Sequence, residues 1–183
     1  MALHEWTVAS ALIERDGHLL LVRNLRQGGS EDWSTPGGVI DPEDQSIIEG
    51  LAREVCEETG LRVTAWTGPA YEVIATAHDL GWRMRCEVHH AAAFQGDLAI
   101  DDPDGIVVEA DFHAPERAID LLAACPRWVR EPISDWITAP WPTTISSSAP
   151  HTAESSESSD LALRRYEYVV HGTRRADLRV ERI

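Results

Sequence analysis

Residues 53–61 read REVCEETGL, inside the longer run STPGGVIDPEDQSIIEGLAREVCEETGL at 34–61. The apolar positions Ile48, Leu51, Ala52 and Val55 recur at helical spacing, and Gly60 follows as a stop, so a helix is expected over Gln45–Thr59. At roughly 100° per residue, with Glu54 at zero, Glu58 falls at about 40° and Glu57 at about −60°. The apolar set centres at about 110°, so one face turns inward while an adjacent carboxylate stripe looks toward a cleft or solvent. Like charges this close repel, so the stripe costs stability unless something positive sits among them. Clustered carboxylates three and four apart form an oxygen set suited to a hard divalent cation, magnesium or manganese; a solvated acidic face is the plainer alternative. Gly50, on the same stripe, costs about 1 kcal/mol against alanine, which calls for either ligand space or close packing against a loop.

The chain around this segment has 183 residues, 43% hydrophobic and 26% charged, enough for one sizeable domain with an appendage. A formal charge of −15 speaks against general nucleic-acid binding but not against phosphate substrates carried with cations. All 16 basic residues are arginine, which excludes any mechanism that needs a lysine to hold phosphate, form a Schiff base or act as a base. Codon bias accounts for that composition, and arginine serves bidentate phosphate contacts equally well. Cys56, Cys86 and Cys125 are odd in number and lack metal-like spacing, which fits reduced thiols and a cytoplasmic location. No export signal and no apolar run of about 20 residues is present, so no membrane association is expected.

Two strands, Val8–Ile13 and His18–Arg23, are expected to turn at Asp16-Gly17 as a hairpin, followed by a loop at EDWSTPGG (31–38). Beyond the helix come strand-like runs at Thr64–Trp66, Ala70–His78, Trp82–Phe94 and 106–112, with helical patterns at 114–126 and 129–137. Interleaved strands and helices define an α/β class with a mixed sheet. Residues 1–138 read as the domain, 139–160 as a flexible Pro/Ser/Thr/Glu-rich linker, and 161–183 as an Arg-rich extension forming a β-hairpin.

With these residues in place the chain resembles the Nudix hydrolase family. That family's box runs Gly, five residues, Glu, seven residues, then Arg-Glu-aliphatic-x-Glu-Glu-x-Gly-aliphatic. Arg53, Glu54, Val55, Glu57, Glu58, Gly60 and Leu61 match its second half, and WSTPGG is similar to the loop before it. The first half departs: counted from Gly38 the loop acid falls on Asp44, counted back from Arg53 on Gln45, so the loop is one residue longer than the pattern and Glu43 or Asp44 stands in.

The resemblance implies a Nudix-like α/β/α sandwich with a mixed β-sheet. It further implies hydrolysis of a phosphoanhydride bond in a nucleoside diphosphate derivative or nucleoside triphosphate, with Mg2+ or Mn2+. It places Glu54, Glu57, Glu58 and the Gly38 carbonyl as metal ligands, Glu54 as candidate base and Arg53 as orienter of the glutamates. A catalytically silent Nudix-like sensor or partner-binding domain is the alternative. Arg23 and Arg26 are candidate phosphate contacts, Trp33 a candidate base-stacking residue, and Glu109 or Asp104 a candidate further acid. His89 and His90 are adjacent in a strand and face opposite sides, which makes them poor joint ligands. The expected partner is a small nucleotide diphosphate, with no nucleic acid; a homodimer is left open. For the arginines of the tail (Arg164, Arg165, Arg174, Arg175, Arg179, Arg182), folding over the cleft, adding strands or mediating dimerisation all stand beside a solvated hairpin face.

Overall fold

The computed structural model describes residues 3–26, 28–139, 163–174 and 177–183. The proposed linker lies outside them except for Ala139, as does Arg175 of the tail.

The strands are β1 His4–Leu12, β2 Glu14–Arg15, β3 His18–Leu25, β4 Glu31–Ser34, β5 Gly37–Val39, β6 Arg62–Ala77, β7 Trp82–Gln95, β8 Val107–His113, β9 Arg164–His171 and β10 Arg179–Arg182. The helices are α1 Ile47–Thr59, α2 Pro115–Leu122 and α3 Arg127–Thr138. One sheet is mixed and runs β10-β9-β6-β7-β1-β5, with β1 parallel to β7 and β9 parallel to β6. The second is antiparallel and centres on β3, which pairs with β2, β4 and β8.

Alternation along the strands sends side chains to two cores, one on each side. On one side Ala9, Ala11, Ile13, Leu20 and Ala91 meet Leu51 and Val55 of α1. On the other, Leu12, Leu19, Leu21, Tyr71, Val73 and Val88 meet Ala118 and Leu122 of α2 and Ile133 and Trp136 of α3. The result is the α/β/α arrangement. Among the described residues no helix is long and apolar enough to cross a membrane.

Three expectations are corrected. The Asp16-Gly17 turn joins β3 only to the short β2, because β1 leaves for the mixed sheet and pairs there with β5 and β7. The EDWSTPGG loop holds two short strands, β4 and β5, each recruited by a neighbour the local pattern does not reveal. The runs at Thr64–Trp66 and Ala70–His78 are one strand, β6, which crosses Gly68-Pro69 through register shifts against β7. At the C-terminus β9 and β10 pair antiparallel, and β9 lies inside the sheet, with Tyr166 and Tyr168 in the core.

Candidate active site

α1 starts where Ser46 caps it, its side chain accepting the Glu49 N–H at 3.1 Å, and stops where Gly60 adopts φ 76°. The backbone of the following loop closes on this end, with Ala99 N–H donating to Thr59 O and Asp101 N–H to Glu57 O, each at 2.9 Å. Both ends being fixed, the acid stripe has a set orientation toward β5 and the 102–105 turn.

Gly37 and Gly38 sit in β5 beside Ser10 and Ala9 of β1. Gly37 has φ 141° and so little room that an added Cβ would strike the Ala9 carbonyl. Its N–H donates to Glu58 Oε2 at 2.7 Å. A Cβ on Gly38 would overlap the Glu54 carboxylate, so backbone and acid share one narrow space. Ser10 ties this turn down, its hydroxyl lying 2.6 Å from Thr35 Oγ1 and 3.2 Å from the Pro36 carbonyl it donates to.

Arg53 reaches in two directions. Its Nη1 donates to Glu54 Oε1 at 2.7 Å and Glu57 Oε2 at 3.3 Å, and its Nη2 to Asp44 Oδ2 at 3.1 Å and Asp41 Oδ2 at 3.3 Å. Asp44 therefore occupies the loop-acid position, its carboxyl held low by the Arg53 hydrogen bond, while Glu43 is exposed. The space required at Gly50 is explained by this carboxylate: a Cβ there would come within 2.5 Å of Asp44 Oδ2 and 2.9 Å of Ile40 Cδ1. Close packing, not ligand space, is the reason for that glycine.

The rim carries more negative charge than Arg53 can offset. Burial pushes Glu58 up to about 8, against the opposing hydrogen bond from Gly37, with Glu54 and Asp102 adding repulsion. Burial likewise raises Glu54, opposed by Arg53 and reinforced by Glu57 and Asp104. Asp102 holds the adjoining turn, Oδ2 accepting the Ile106 and Val107 N–H groups at 2.7 Å each and Oδ1 that of Asp104 at 3.0 Å. Sequence reasoning selected Asp104 in this segment and missed Asp102.

No three His, Cys, Asp or Glu side chains among the described residues converge as a ready ligand set. Arg53 lies between Glu54 and Glu57, and Glu58 turns to Gly37, which is how unneutralised carboxylates reduce their repulsion. Glu54, Glu57, Glu58 and the Gly38 backbone nonetheless present only hard oxygen donors in a region short of positive charge, the chemistry that magnesium or manganese requires.

Other sequence-selected residues are placed differently. Arg23 is held by Glu31 and Glu109, each at 2.8 Å, which also occupies Glu109. Arg26 is gripped by Asp32 through two bonds of 2.9 Å. Both arginines are ion-paired because β4 and β8 bring carboxylates beside β3, and Arg26 also lines the cavity beside Gly37 and Gly38. Trp33 packs edge-on against His113, ring centroids 5.2 Å apart, its carbonyl accepts the Cys125 thiol, and it lies partly buried against the core. His89 and His90 meet different partners, Glu87 at 3.2 Å and Glu14 at 3.7 Å.

Beside Gly37 and Gly38 opens a cavity of about 330 Å³ whose walls include Tyr71, Val73, Met84, Cys86, Val88, Trp128, Val129 and Ile133. Its trace in the sequence is the alternation in WRMRCEVHH (82–90), which no expectation used: Met84, Cys86 and Val88 form one apolar face, while Arg83, Arg85, Glu87 and His89 form the other.

A helix-borne carboxylate stripe, a glycine backbone pressed against it and an apolar cavity that the same glycines line come together on an α/β/α scaffold. The NUDIX domain profile matches residues 3–136, so the chain belongs to the Nudix family, whose enzymes are diphosphatases that generally use divalent metals. It is 29% identical over 118 residues to a CTP pyrophosphohydrolase of Escherichia coli, covering 64% of this chain and 82% of that protein. It is 32% identical over 120 residues to an RNA pyrophosphohydrolase of Caulobacter vibrioides, covering 60% and 66%. Across its curated relatives the chain spans from 37% to 82% of their length. The crystal structure of a MutT protein from Bacillus halodurans superposes with TM-score 0.60 over 96% of this chain and 97% of that one, at 19% identity, and thus shares the fold.

Proposed function

We propose that this protein hydrolyses the phosphoanhydride bond of a nucleoside triphosphate or of a nucleoside diphosphate linked to another group. The reading rests on one observation: the Glu54 carboxylate lies against the backbone of Gly38, which also lines an apolar cavity large enough for a nucleoside. The organic group fills the cavity, and the diphosphate extends over β5 toward α1.

Glu54, Glu57, Glu58 and the Gly38 carbonyl would hold Mg2+ or Mn2+. When bound, such cations neutralise the diphosphate and acidify the attacking water. Arg53 orients Glu54 and Glu57 and is itself positioned by Asp44 and Asp41. Glu54, made more basic by burial, takes the proton from the water, and Asp104 adds negative charge beside it. The relatives' names, a CTP and an RNA pyrophosphohydrolase, widen the choice to CTP or an RNA.

The test is a panel of CTP, other nucleoside triphosphates, nucleotide sugars, ADP-ribose and 5′-triphosphorylated RNA, assayed with each metal for release of phosphate, pyrophosphate or monophosphate. Turnover of at least one compound is expected, falling about 10³-fold or more in Glu57→Gln, some 4 kcal/mol of transition-state stabilisation. A folded protein inactive on the whole panel with both metals would refute the reading.

A further inference from the structure

α3 supplies the side of the cavity that the sheet cannot, through Trp128, Val129 and Ile133. Alone it is a weak wall. It has 12 residues, no side-chain cap at Pro126, and an internal Pro132 that cannot donate to the Trp128 carbonyl.

The opposite stripe of the helix, Arg127, Glu131 and Asp135, is spaced four residues apart, and every member meets the C-terminal hairpin. Arg127 Nη1 donates to the Val180 carbonyl at 2.7 Å. The Tyr168 hydroxyl donates to Glu131 Oε2 at 3.2 Å. The Tyr166 hydroxyl and Arg164 Nη2 both donate to Asp135 Oδ2 at 3.0 Å. Arg182 stands over the Tyr166 ring, 4.6 Å from its centroid, and 3.9 Å from Asp135. The hairpin is anchored independently from the other face of the sheet, where Arg165 Nε donates to the buried Glu72 at 2.6 Å. Sheet, hairpin and α3 thus form one braced unit, with the brace on the outside of the helix and the cavity on the inside.

We infer that the C-terminal hairpin is a specificity-determining brace: by fixing α3 it sets the width of the cavity that receives the organic group. The inference rests on the hydrolase reading only for the identity of that group. Tyr166, Tyr168 and Arg127 are positioning residues that act through α3 and touch neither the phosphates nor the carboxylate rim. Loosening them lets the wall retreat, which weakens the hold on a small nucleoside and relaxes discrimination against larger ones. The chemical step is unchanged.

The experiment compares the full-length protein with Tyr166→Phe/Tyr168→Phe, which keeps both rings in the core, and with the milder Arg127→Met. CMP, AMP, GMP and UMP affinities are measured calorimetrically, alongside KM and kcat for the best substrate. Loss of two hydrogen bonds should weaken the best-bound monophosphate and raise KM about fivefold to tenfold in the double variant, with kcat within about twofold. Arg127→Met should shift both by about twofold and serves alone if the double variant does not fold. Preference between cytidine and guanosine compounds should narrow in parallel. Unchanged affinities, KM and preference in a folded variant overturn the brace, as does a fall in kcat at constant KM. If the wild type turns nothing over but the variants still lose monophosphate affinity, the brace stands and the hydrolase reading falls. If the wild type binds none of the four, both fall.

Discussion

Two buried glutamates, Glu72 on β6 and Glu58 on α1, meet opposite treatment. Glu72 is 1% exposed and is clamped by the guanidinium groups of Arg85 and Arg165 from the strands on either side. Glu58 is 9% exposed and accepts one backbone N–H; no guanidinium among the described residues pairs with it, and the repulsion of Glu54 and Asp102 outweighs the attraction of Arg26. A buried charge is tolerated when it is paired and hydrogen-bonded, as Glu72 is. Glu58 lacks that compensation within the chain. Where a carboxylate serves the architecture, the protein supplies its own cation; at the α1 rim that position is open to one from solution.

The contrast can be broken most forcefully at Glu72. Glu72→Ala leaves two guanidinium groups facing each other across β6, and its expected cost is about 3 kcal/mol, below the fully buried range because both arginines are roughly half exposed. Urea unfolding at neutral pH measures it, and a loss under about 1 kcal/mol would show that the clamp is ornamental. At Glu58 the effect is of comparable size and depends on pH. Its folded value of about 8 exceeds the ordinary 4.5, so between these values the folded chain binds more protons than the unfolded one. Chelator-treated protein should therefore lose stability as pH rises through that window, with Tm falling by several degrees. Glu58→Gln should flatten the slope, and added Mg2+ should offset it; an identical slope in the variant would refute the assignment. The smallest effect concerns the loop acid. Gly50→Ala should cost about 1 kcal/mol despite alanine's helix preference, because Asp44 must move off Arg53 to admit the methyl. Equilibrium unfolding checks this, and a stabilised variant would show that the loop yields freely.

The acid stripe was legible from residues 45–61 because its geometry is local: a 3.6-residue period aligns Glu54, Glu57 and Glu58 whatever surrounds them. Ser46 and Gly60, which cap that helix, act within a few residues of themselves. The Asp16-Gly17 turn was legible too, but not its partner, because β1 departs for another sheet and pairs with strands about 30 and about 80 residues distant. The ion pairs of Arg23 and Arg26 were hidden from the sequence for the same reason. Glu31, Asp32 and Glu109 reach them only once β4 and β8 have docked on β3.

By itself, then, the order of residues determined the carboxylate helix, its ends and the hard-cation chemistry it suits, since each follows from contacts within a turn or two. Tertiary structure alone decided that Asp44 rather than Glu43 holds Arg53, that Glu58 is buried with a backbone N–H rather than a guanidinium as its partner, and that the C-terminal hairpin stands behind the cavity wall. Those outcomes depend on which distant segments pack together, and burial and pairing across such distances are set by the assembled core rather than by any stretch of chain.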